Sequence, residues 1–196
     1  MTLNFSILFS LPYECIKLGL MVTPLVFIYP TTKRYFPYPQ LVLGMTFNTG
    51  VFIGYAALAQ PVAWNICVPF YLGGILWTII YDTIYAFQDR EFDKRLNLRS
   101  TAIELENMPK ESLTALSAAS VGLFALGGIN ASLAWPYYVG LAGVAAHYGW
   151  QIKTLDIEDR QNCWDRFQSN RWLGLLLFGS IVAGRHITGD KKQTGS

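Results

Sequence analysis

The chain has 196 residues, of which 52% are hydrophobic and 14% charged, about half the charged share of an ordinary soluble domain. No Asp, Glu, Lys or Arg occurs from residue 35 to 81 or from 112 to 146; this excludes a small soluble domain, which needs charge over its whole surface, and points to lipid. The net charge of +2, with no basic cluster, argues against a nucleic-acid partner, and Cys15, Cys67 and Cys163 lack metal-ligand spacing and read as ordinary thiols in apolar surroundings.

The opening MTLNFSILFS holds no basic segment, which argues against a cleaved signal peptide. A first apolar stretch covers roughly 3–29, interrupted by Pro12, Glu14 and Lys17. Others follow at 40–59, about 64–87, 112–131 and 133–150, and a short, tilted or marginal one at 172–184. The chain thus reads as one transmembrane helical domain, 1–187, with a solvated polar tail, 188–196. Gly44, Gly50 and Gly54 in the second stretch, and Gly122, Gly127 and Gly128 in the fourth, are expected to be packing contacts between helices. No internal repeat is visible.

Charge gives the orientation. The first, third and fifth connections (31–39, 88–111 and 151–171) hold 11 of the 15 basic residues, and the second and fourth hold none. The positive-inside rule assigns the basic side to the cytoplasm or its topological equivalent. Of the 13 acidic residues, 11 fall between 82 and 165, so ionic chemistry belongs on that side too.

The third stretch ends in the run Y81-DTIYAFQDREFD-93, where Asp82, Asp89 and Asp93 are spaced D-x6-D-x3-D. In a continuous α-helix, steps of seven and four return to within about 20° and 40°, placing the three carboxylates on one face with Tyr85, and Gln88 at its border. Asp82 then lies about 10 Å deeper than Asp89. Clustered carboxylates at a helix end suit Mg²⁺, a hard cation completed by water and phosphate oxygens; for Asp93 a merely solvated helix end explains the residue equally well. Asp82 sits inside apolar sequence, where a carboxylate is costly and signals function. On the same side, Lys33 and Arg34 close the segment Tyr29-Pro30-Thr31-Thr32-Lys33-Arg34. They either neutralise phosphate oxygens or snorkel as anchors of the helix end. Cations and carboxylates on one membrane face suit a metal-bound diphosphate with a greasy tail.

At these residues the sequence resembles the UbiA-type family of intramembrane aromatic prenyltransferases. The run 81–93 resembles the family's second aspartate-rich motif, Y-D-T-x-Y-A-x-x-D-x-x-x-D, and R99-STA-102 its K-S-T-A continuation. Upstream, 29–57 resembles the Y-P-x-x-K-R…P-Q…L-G…G stretch, and 159–184 the closing loop and last helix. The resemblance implies part of an all-α integral membrane fold, here a bundle of five to six transmembrane helices. It implies Mg²⁺-dependent transfer of a prenyl group from its diphosphate to a phenolic ring, in ubiquinone or meroterpenoid biosynthesis. Asp89 and Asp93 would hold the metal, Lys33, Arg34 and Arg99 the diphosphate, and Asp82, Tyr85 and Lys33 would act at the reacting centre. Ionisation of the allylic C–O bond, attack by the ring and loss of the ring proton would follow.

Three departures stand out. Phe92-Asp93 replaces two adjacent aspartates, and Leu96-Asn97 replaces Ile-Gly; both suggest a paralogue with another acceptor, such as a fungal meroterpenoid enzyme. Asp82 is the first Asp of the chain, so the family's first aspartate-rich motif, N-D-x-x-D-x-x-x-D, has no counterpart. The expectation is a shortened prenyltransferase; the alternative is an inactive remnant that binds prenyl diphosphate or a membrane partner. A transporter using Asp82 is disfavoured by the lack of a two-halves repeat.

Overall fold

Each of the long apolar stretches becomes helix in the computed structural model, which describes residues 10–193, without the side chains of Lys33 and of 189–193. Helix α1 spans Tyr13–Tyr35, α2 Pro39–Asn48, α3 Gly50–Leu58 and α4 Trp64–Ala86. A 3-10 turn at Phe87–Asp89 leads into α5, Arg90–Arg95, and a single turn, α6 (Thr101–Glu104), precedes α7 (Pro109–Asn130), α8 (Trp135–Lys153) and α9 (Arg160–Gln193). No strand occurs among the described residues. Lipid enforces this, because only helices and closed barrels satisfy every backbone polar group without water.

Six helical segments (α1, α2 with α3, α4, α7, α8 and α9) therefore lie where spans are expected, and the protein is a multi-pass membrane protein. Four of them, Tyr13–Thr32, Pro39–Leu58, Trp64–Arg95 and Pro109–Asn130, are long and apolar enough to cross a membrane by length and composition alone. The less apolar α8 and α9 bury polar side chains against each other: His147 meets Ser169 at 3.1 Å and Gln151 donates to the Arg166 carbonyl at 2.7 Å. Hydrogen bonds of this kind hold helices together in lipid.

Several boundaries differ from expectation. Helix α1 continues through Pro30 to Tyr35, reducing the first connection to 36–38. Proline removes a single helix bond, and the Thr31 and Thr32 hydroxyls donate back to the carbonyls of Ile28 (2.7 Å) and Tyr29 (2.6 Å). The second crossing breaks at Thr49. The last helix begins at Arg160 instead of 172, because its first third is amphipathic and carries no apolar run. Asp159 starts it, its Oδ1 accepting the N–H groups of Gln161 (2.8 Å) and Asn162 (3.2 Å). Its backbone stays helical to Gln193, beyond the expected start of the tail.

Long-range hydrogen bonds establish which connections share a side. Gln40, in the first turn of α2, bonds Thr101, joining the end of the first connection to the third, and Arg90 bonds Glu158, joining the third to the fifth. At the other end Asn130 donates to the Asn65 carbonyl and Thr188 to that of Ser132. The charged connections thus lie together on one face.

Helix α4 is central, packed by α2, α7 and α9; α8 bridges α7 and α9, and α1 leans on α2 and α3. Close packing needs small residues at Gly44, where an added Cβ would stand 3.2 Å from Ile75, and at Gly127, where it would stand 2.8 Å from Phe70; Gly128 is equally blocked by Tyr137. Gly50, Gly54 and Gly122, by contrast, face open space. Those three are not packing contacts: Gly50 and Gly54 line an open apolar groove, and Gly122 lines a groove between α7 and α8.

Candidate active site

The aspartate run does not stay on a single helix. The 3-10 turn at Phe87–Asp89 tightens the backbone, and Asp89, at φ −109° and ψ 5°, opens α5. This separates the three carboxylates in environment. Asp82, on α4, is half-buried; the Asp89 side chain is 46% exposed; Asp93 is buried at 3%. Helix α5 ends one turn later, and Asn97 takes φ 54°. This left-handed position favours Gly, and Asn is among the few other residues that tolerate it.

Asp89 faces a hollow of about 580 Å³ between the end of α4 and the α8–α9 connection, with Arg95, Ile157 and Arg160 in its wall. Arg160 Nη2 donates to Asp89 Oδ1 at 3.2 Å, and the Arg160 side chain is 75% exposed. An exposed pair of this kind contributes about 0–1 kcal/mol. Arg90, next to it, is held far more firmly. Its side chain is only 11% exposed and meets Glu158 at 2.9 Å, Glu91 at 3.3 Å and Glu106 at 3.8 Å. Lys94 adds Glu106 at 2.6 Å and Glu91 at 3.5 Å. These pairs join α5, the segment after α6 and the α8–α9 connection into one body.

Deeper along α4 the wall becomes aromatic. Tyr85 packs on Phe167 (5.0 Å) and Trp164 (6.1 Å), and Tyr81 lies between Trp77 and Phe167. Trp77, Tyr81, Trp164 and Phe167 line a space of about 410 Å³. Trp77 Nε1 donates to Asn170 Oδ1 at 2.9 Å, and Trp77 also lines the largest cavity described, about 790 Å³, with Gly50, Gly54, Phe70, Phe124 and Phe178. From Asp89 to Phe70 the path along α4 is about 28 Å. Charge at one end, aromatic rings in the middle and an apolar chamber beyond are thus strung along one helix.

The expected cationic segment is partly placed. Tyr29 of α1 stands within electrostatic reach of Asp82 and Tyr81. Arg34 and Arg99 are exposed; the Lys33 side chain lies outside the described residues. Ser100, Thr101 and Ala102 are buried, and Gln40 Oε1 accepts Thr101 Oγ1 at 2.6 Å and Thr101 N at 3.2 Å. The R-S-T-A segment is therefore anchored by the glutamine that opens α2.

Reading the sequence alone missed Arg160, Arg90, Glu158 and Gln40. The basic count of the odd connections included Arg160, but its partner is 71 residues away and no local spacing announces it.

The family model of the UbiA prenyltransferase family matches residues 1–178. The chain belongs to that family. Among its relatives, the bovine mitochondrial 4-hydroxybenzoate polyprenyltransferase is 44% identical over 184 residues, 94% of this chain and 50% of the relative. The human protein of that name is 43% identical with the same coverage, and that of Arabidopsis thaliana 41%, covering 93% of this chain and 45% of its own length. The chain spans about half the length of the curated relatives it matches. The apo structure of a UbiA homolog from Aeropyrum pernix K1 superposes with a TM-score of 0.72 at 24% identity, over 91% of this chain and 67% of that one; the fold is the same.

Prenyltransferases of this family are in general Mg²⁺-dependent. Among the described residues no group of three or more His, Cys, Asp or Glu converges as a cage. The Asp89 carboxylate, a hard oxygen donor of the kind Mg²⁺ takes, opens to the hollow, whereas Asp93 is buried and outside its lining.

Proposed function

We propose that this UbiA family chain is the part of a membrane prenyltransferase that receives a prenyl diphosphate and transfers its prenyl group to a phenolic ring. The single observation that carries the reading is the sequence of environments along α4, from the Asp89 hollow through the Tyr81–Phe167 aromatic wall to the apolar chamber. An amphiphile with an anionic head and a hydrocarbon tail matches that gradient.

Asp89 and Asp93 would hold Mg²⁺, which supplies charge neutralisation for the departing diphosphate. Lys33, Arg34 and Arg99 take the phosphate oxygens. The allylic C–O bond breaks with its electron pair leaving on the diphosphate, and the aromatic wall excludes water from the allyl cation. A ring carbon forms the new C–C bond; Asp82, with Tyr85 one turn on, would take the proton that leaves the ring. Relatives named for 4-hydroxybenzoate make a phenolic acid the first acceptor to test.

Membranes containing the protein, incubated with Mg²⁺, radiolabelled prenyl diphosphates of several lengths and a panel of phenolic acids, should yield prenylated acceptor. A second reading, binding without transfer, draws on the half-length coverage of the relatives. It predicts retained labelled diphosphate and no product. Neither retention nor product would sink both.

A further inference from the structure

The α8–α9 connection and the first residue of α9 make two arginine–carboxylate contacts to the aspartate region, and they differ in kind. Arg90–Glu158 is short, at 2.9 Å, and its guanidinium is buried and shared with Glu91 and Glu106. Arg160–Asp89 is a single contact at 3.2 Å with both side chains open to water. The first fixes the connection in place; the second can exchange partners without disturbing the body around it. Its anchorage is firm, since Asp159 caps α9 and the Asp156 N–H donates to Asn162 Oδ1 at 3.0 Å. Arg160 is therefore an exposed, singly paired cation on an anchored base, at the rim of the hollow that Asp89 opens to.

We infer that Arg160 is a counter-ion that changes partner: it neutralises Asp89 while the site is empty and turns to the phosphate oxygens when a metal-bound diphosphate arrives. The inference rests on the proposed reading of the hollow as the diphosphate site. A divalent cation at Asp89 competes directly with the guanidinium, since both bind the same carboxylate. Once displaced, Arg160 stays tethered at the N-terminus of α9, a side chain's length from the incoming phosphate. A planar guanidinium suits two phosphate oxygens at once. The apo contact thereby weakens cation binding alone and strengthens binding of the complete cation–diphosphate pair.

Opposite effects on two ligands follow, and a purely structural role would not produce them. The 196-residue chain in lipid nanodiscs is titrated with Mn²⁺ by electron paramagnetic resonance, then with ³²P-pyrophosphate at saturating Mn²⁺. In Arg160→Gln, Mn²⁺ alone should bind about threefold more tightly, and pyrophosphate about tenfold more weakly, the loss of one charge-assisted contact. Arg160→Lys should restore part of the pyrophosphate affinity. Unchanged constants, or two shifts in the same direction, overturn the inference. Asp89→Asn separates the failures: if it abolishes Mn²⁺ binding while Arg160→Gln changes nothing, the counter-ion role alone falls. If wild type binds no Mn²⁺, or binds it regardless of Asp89→Asn, the reading of the hollow falls with it.

Discussion

Gln40 and Thr101, 61 residues apart, form a two-point contact: one carboxamide oxygen accepts both the Thr101 hydroxyl, at 2.6 Å, and its backbone N–H, at 3.2 Å. Both residues are buried. The contact ties the start of α2 to the connection that follows the aspartate run, and so fixes Arg99 beside it. Gln40→Leu leaves two buried donors without an acceptor and should cost about 1–3 kcal/mol. A lowered melting temperature in detergent would show it, and Gln40→Glu should recover much of the loss.

Of the two aspartates read as metal ligands, Asp89 opens to the hollow and Asp93 is buried. Asp89→Ala should reduce prenyl transfer by at least about a hundredfold, the scale of losing one charge-stabilising group. Membrane insertion should be normal, because the side chain is half-exposed and its ion pair contributes little. Transfer at the wild-type rate would remove Asp89 from the metal site.

Arg90 holds the region by packing and charge together. Arg90→Ala leaves three carboxylates without their shared cation and should destabilise the fold by about 1–2 kcal/mol. The figure is below that of a fully buried pair because Glu158 is itself mostly exposed. Double-mutant cycles with Glu158→Ala should show coupling, whereas Arg160→Ala should leave the melting temperature unchanged.

Gly54 borders the apolar chamber and an added Cβ meets nothing within 4 Å. Gly54→Leu should fold normally and reduce the space for a tail, shifting preference toward shorter prenyl diphosphates by roughly tenfold in kcat/KM, the scale of a few methylene groups. An unchanged length profile would exclude the chamber as the tail site. Gly128→Leu, blocked by Tyr137, should instead prevent folding.

Cys163 is fully buried, and burial together with Asp156 and Asp159 pushes its thiol up to about 11 from an ordinary 9.0. Maleimide should fail to label it at pH 7.5 in the folded protein and label it after denaturation in SDS. Because the folded pKa is raised, the stabilising contribution is complete below pH 9.0 and is lost as pH rises toward 11. Cys163→Ala should flatten that part of the stability curve.

By itself, the sequence determined the solvent and the helices. Uncharged stretches of more than thirty residues leave the backbone no partner but itself, so the crossings follow from composition, and the one-sided basic residues order their ends. The aspartate run was likewise legible, since Asp82 inside apolar sequence has no cheap structural explanation. The start of α9 was not, because Asp159 caps a turn that carries no apolar run. Only the tertiary structure decided what the aspartates meet. The 3-10 turn at Phe87–Asp89 departs from the helical period on which a shared face relies, leaving Asp93 buried and Asp89 open to water. The partners of that region, Arg160 for Asp89 and Glu158 for Arg90, come from the far end of the chain. Such pairings depend on how α4 and α9 pack, and periodicity along a single helix holds no record of that.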